Sequence, residues 1–165
     1  MHLFGTIGIA IGIAYVFAES FKLQERVRYI FVAVGAILPD LIDKPLGVLL
    51  YGSISNGRIF AHSMVFLIGV LAIGIFIIKL NNDSRVVCLS FGISWHLIEN
   101  MMWKQPVILF WPLYGDFPLK KYETIKDWTM SIVMQLGTPE SYIPEIIGFI
   151  IICLFLSRHF KMVKK

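Results

Sequence analysis

Apolar residues along this chain fall in blocks separated by short polar connections, without the strict alternation of a half-buried strand. The blocks are Leu3–Ala18, Val27–Leu38, Ile59–Ile78, Val86–Trp103 and Tyr142–Ser157. Several approach the roughly 20 residues a helix needs to cross about 30 Å of hydrocarbon. The pattern predicts an all-α, polytopic integral membrane bundle, with about five transmembrane helices in a single domain over residues 1–165. The second block is short for a span and is expected to borrow length from the charged stretch before it. Pro39 is expected to end that block and Pro45 to begin the next stretch.

Between the fourth and fifth blocks, Tyr122, Ile125, Trp128, Ile132 and Leu136 recur at helical steps with charged residues between them. This spacing predicts an amphipathic helix, lying in the membrane interface or against the bundle. The first block places Gly8 and Gly12 in GxxxG spacing, with Ala10, Ala14 and Ala18 at every fourth position, which suits close helix packing. No Lys or Arg precedes it, so a permanent helix is expected and not a cleaved signal peptide.

Composition agrees: 57% of the 165 residues are hydrophobic and 16% charged, where about a quarter charged is usual for a soluble domain. The mean hydropathy is +0.74. Cys88 and Cys153 both lie in apolar runs and read as small hydrophobes, with no disulfide framework implied. The net charge of +4 comes from residues scattered at block ends and from the terminal "RHFKMVKK", which suits anionic lipid and not nucleic acid. The connections Glu19–Arg28 and Lys79–Arg85 and the tail after Ser157 together carry nine Lys and Arg residues against three acids. The other side carries six against eight. The positive-inside rule then places the N-terminus outside and the C-terminus in the cytoplasm.

With alternating span directions, His2, Asp40, Asp43, His62, His96 and Glu99 all fall near the outer boundary. Each alone has an ordinary role as a cap, a surface charge or a satisfied core histidine. A carboxylate within an apolar span, as Glu99 is, points by default to function. Glu99 also stands three residues from His96, the spacing by which helical bundles present metal ligands. At 1.5 Å per residue His96 is expected on the order of 10 Å below Trp103. The set suits a His/Asp/Glu metal centre holding one or two divalent ions, with zinc favoured and manganese or another transition metal as alternatives. Arg58 is a candidate for binding substrate phosphate through its planar fork, with Lys44 a weaker one. Ser63 and Asn100 are candidates for orienting the ligands. Asp40, Asp43 and Glu99 are expected as ligands, with one of them as general base in the alternative reading.

These residues also carry a resemblance. His2, "LPDLIDKPLG", "GRIFAHS", "HLIEN" and the following "FWPLYG" together resemble the membrane-bound metal-dependent hydrolase family, the LexA-regulated inner-membrane hydrolases. The likeness covers residues 2 to about 115; Glu99 stands where the family pattern leads one to expect Asp. The resemblance implies an inner-membrane location and metal-dependent hydrolysis, with phosphoesters as the favoured substrate class. The expected substrate is a lipid or lipid-linked molecule met at the outer leaflet, with membrane lipids as the partners. Two rival classes remain at this stage: a small transporter using the same acids and histidines as a relay, and a non-catalytic protein stapled by its metal.

Overall fold

The structure is a computed structural model and describes residues 3–51, 57–117, 130, 133–134 and 139–163. Its described residues form six α-helices and no strand. They are α1 (Leu3–Phe21), α2 (Tyr29–Tyr51), α3 (Met64–Asn81), α4 (Arg85–Glu99), the single turn α5 (Pro106–Leu109) and α6 (Pro139–Val163). Two of them, α1 and α3, are by length and composition apolar enough to cross a membrane. His2 and nearly all of the amphipathic stretch 122–136 lie outside the described residues.

The second block behaves differently from its expectation. α2 does not stop at Pro39 but continues through both Pro39 and Pro45 to Tyr51. Each proline forgoes one i→i−4 hydrogen bond, a loss that neighbouring helices commonly make good in membrane proteins. Asp40 and Asp43 therefore sit on a helix and not in a loop beyond one. The fourth block also ends early. Asn100 caps α4 with its amide on the His96 carbonyl, Met101 turns left-handed at φ 49°, and Met102–Lys104 forms a 3-10 turn. Trp103 thus lies beyond a reversal of the chain, so the expected 10 Å of depth along one straight helix does not apply.

Packing rests on two backbone-close helix pairs. α2 and α4 run parallel, with Arg28 beside Cys88, Val32 beside Gly92 and Ala36 beside His96. A Cβ on Gly35 would fall 2.1 Å from the Leu89 carbonyl oxygen, and one on Gly92 2.2 Å from that of Val32. The second pair is α1 and α6. Gly8 meets the Gly148 backbone, while Gly12 meets the Ile151 side chain. The GxxxG stripe therefore finds its partner in the last helix. Its alanines turn the other way: Ala10 and Ala14 join Val32, Ala36 and Cys88 in the core between α1, α2 and α4.

Glu145 of α6 fastens the same pair at its end. Its Oε2 accepts from the amides of Phe4 at 2.7 Å and Gly5 at 3.0 Å. These are first-turn donors of α1, which no backbone carbonyl of their own helix reaches. α3 packs mainly on α4, and its other faces carry exposed Val65, Ile68, Ile73, Phe76 and Leu80. Such a surface belongs against hydrocarbon.

Adding one methyl group therefore has opposite outcomes at two glycines. Gly92→Ala should destabilise the fold by about 1–3 kcal/mol, because α2 cannot move without losing its own packing. Gly69→Ala, with nothing within 4 Å of its Cβ position, should be neutral or raise stability by up to about 1 kcal/mol through helix propensity. Thermal unfolding of the two variants in detergent, compared with wild type, measures both.

Candidate metal centre

α2 offers Asp40 and Asp43 three residues apart on one face. Asp43 is fully buried, and its two oxygens together accept four hydrogen bonds. Its Oδ1 accepts from the Ala61 amide at 2.8 Å. Its Oδ2 accepts from the amides of Ile59 at 2.8 Å and His62 at 3.2 Å, and from His62 Nδ1 at 2.7 Å. One carboxylate thus folds the 3-10 turn Phe60–His62 onto α2. Ser63 then starts α3: its hydroxyl accepts from the Phe66 amide at 3.2 Å, an N-cap bond, and donates to the Phe60 carbonyl.

The donor assignments follow from these partners. Asp43 can only accept, so His62 Nδ1 carries a proton, and the neutral ring then presents a lone pair at Nε2. His96 Nδ1 lies 2.7 Å from the Ala36 carbonyl oxygen, another acceptor, which fixes the same tautomer. The two Nε2 atoms face each other at 3.2 Å. Two lone pairs at that distance attract only through a proton or a cation between them.

Asp40 completes the group. Its Oδ1 stands 3.7 Å from His62 Nε2 and 4.0 Å from His96 Nε2, and its Oδ2 pairs with Lys44 Nζ at 3.1 Å. The three ligand atoms lie within 4.8 Å of one another. Two nitrogens bound tetrahedrally to zinc at ~2.05 Å would be roughly 3.3 Å apart, close to the 3.2 Å between the imidazoles. The residues therefore fit a single divalent cation. Two histidines and one carboxylate also form a set that leaves a position open for water.

The imidazoles are buried, His62 at 0% and His96 at 3% exposure, while the Asp40 side chain keeps 15%. Asp40 and Lys44 thus mark the way in. On the far side Asn100 bridges two groups. Its Nδ2 lies 3.1 Å from His96 Nε2 and donates to the His96 carbonyl, and its Oδ1 accepts from Arg58 Nη2 at 2.9 Å. Arg58 is thereby held beside the imidazoles.

Glu99 is not brought to this group. It is three residues past His96 on the same helix, but its buried carboxylate lies beside Thr6 of α1 and Glu145 of α6. Since His96 faces α2, the 300° turn over three residues aims Glu99 towards the neighbouring pair of helices. Sequence reasoning missed the Ala36 carbonyl, for which a backbone acceptor leaves no side-chain signal.

Neither a curated protein nor a solved structure matches the chain. A family profile does, over residues 1–164, and the bundle with its apolar spans agrees with the description it carries. The chain belongs to the YdjM inner membrane protein family.

Proposed function

We propose that this protein is a membrane-embedded, metal-dependent hydrolase acting on a phosphoester of a lipid or lipid-linked substrate at the outer leaflet. Asp40, His62 and His96 hold one divalent cation, zinc being favoured by the nitrogen-rich ligand set. The observation that supports this reading is the pair of opposed Nε2 lone pairs, each enforced by an acceptor behind its ring. A cation bound there would supply Lewis-acid activation of water and of the phosphoryl oxygen.

The chain's own residues supply the rest. Asp43 and the Ala36 carbonyl orient the two imidazoles and hold their protons on Nδ1. Arg58, positioned by Asn100, offers a charged donor to a phosphate oxygen. Asp40 both faces the imidazoles and reaches the surface, so as a ligand it stands where water and substrate would enter. Lys44 holds the carboxylate's other oxygen and balances its charge. The positive-inside pattern puts this end of the bundle at the outer face.

Purified, detergent-solubilised protein should carry about one divalent ion per chain by elemental analysis. Asp40→Ala, His62→Ala and His96→Ala should each lose it, whereas Glu99→Gln should keep it. A wild type without near-stoichiometric metal sinks the reading. Metal-loaded protein should hydrolyse at least one of phosphatidate, pyrophosphate lipids or model phosphodiesters, and inactivity on all of them removes the hydrolase assignment. Asp43→Asn keeps the shape but substitutes a donor for an acceptor. It should weaken metal affinity by about 10–100-fold, read by competition with a chelating dye. Arg58→Gln should leave metal content unchanged and lower kcat/KM by about 10–100-fold, the size of one lost charge-assisted contact.

A further inference from the structure

α2 and α4 both begin at the end of the bundle remote from the metal centre. Asp40 and His96 each stand eleven residues into their helix, roughly 16 Å along the axis. Between the two helix starts lies a cavity of about 470 Å³, lined by Glu25, Arg26, Arg28, Asp83, Ser84 and Arg85 together with Asn81 and Asn82. Its lining carries three arginines against two carboxylates.

Neither helix has an acidic residue in its first turn; α4 is met by Asp83 just before it, while the positive end of the α2 dipole has no carboxylate on its own first turn. Ser84 precedes α4 without a side-chain cap bond, and its hydroxyl donates to the Arg26 carbonyl oxygen. Of the two lining carboxylates, Asp83 is taken up by Arg85: it accepts from the Arg85 amide at 3.0 Å and stands 3.6 Å from Arg85 Nε. The Arg85 guanidinium is further held over the Phe31 ring at 5.9 Å. The side chains of Arg26 and Arg28 have no carboxylate partner among the described residues.

The frame around these cations is fixed and not merely a loop surface. The α1–α2 connection is tied to α4 by the Ser84–Arg26 bond and by the Arg28 amide, which donates to Cys88 Sγ at 3.3 Å. Two guanidiniums without a carboxylate partner among the described residues, a third one anchored and the start of α2 thus converge on one polar space. Phosphate oxygens match both the guanidinium fork and the amides of a helix start. Basic pockets between membrane helices take lipid headgroups in the same way.

We infer that this cavity binds a phosphate group, carried by an anionic membrane lipid or by a soluble organic phosphate. Calorimetric titration of the full chain in neutral detergent with dihexanoylphosphatidylglycerol, and separately with glycerol phosphate, tests this. Binding of the lipid alone assigns the site to a lipid headgroup, and equal binding of both assigns it to a soluble phosphate. The double variant Arg26→Gln, Arg28→Gln should bind about tenfold or more weakly, with Lys104→Gln, exposed at the other end of the bundle, unchanged. Phenylglyoxal labelling of the wild type supplies a readout free of any folding defect: the lipid or glycerol phosphate should slow modification of Arg26 and Arg28. The proposal is overturned if wild type binds neither probe, if the double variant binds like wild type, or if labelling is unaffected. None of these results depends on the metal content of the protein.

Discussion

The buried Asp43 carboxylate is the contact on which the candidate centre depends. A charge out of water is costly unless its lone pairs are filled, and Asp43 fills them with three backbone amides and one imidazole. That requirement shapes the chain around it. The amides of Ile59, Ala61 and His62 can all reach one carboxylate only if residues 59–62 curl over α2, and this curl delivers the His62 ring to the Asp40 side. The acid of the pair that touches no opposed lone pair is therefore the one that builds the place where such lone pairs meet.

The second half of the centre comes from backbone proximity. His96 reaches the Ala36 carbonyl because α2 and α4 touch through Gly35 and Gly92. A side chain at either glycine would separate the helices and leave the Nδ1 proton without its acceptor. Small residues thus do in this bundle what hydrophobic burial does in water, since lipid gives apolar helices little reason to leave it.

Much of the convergence was legible in the sequence. Alternating span directions put Asp40, His62 and His96 at one level, and Arg58 and Asn100 stood as candidates for substrate binding and for orienting the ligands. What misled was local. Pro39 and Pro45 read as punctuation by rules drawn from soluble helices, yet α2 runs through both. Glu99 has the spacing of a metal-binding pair with His96, but the wheel leaves 60° between them, enough for α4 to turn one towards α2 and the other towards Thr6 and Glu145. Asp40 and Asp43 look equivalent in "LPDLIDKPLG", and their roles separate only when the partner loop is seen. Gly92 could have been marked in advance, since Cys88, Gly92 and His96 repeat at four-residue intervals on the face that meets α2.

The Glu145 clasp has a consequence for biosynthesis. The amides of Phe4 and Gly5 are made before the carboxylate that receives them, which lies 141 and 140 residues later in the chain. The glycine seam between α1 and α6 waits for the same helix. The parallel pair α2 and α4, with α3 between them in sequence, is complete while α6 is still in the ribosome. Domains and their parts emerge from the N-terminus onward. The centre formed by Asp40, His62 and His96 can therefore assemble before α6 is made, and α1 is locked in place only afterwards.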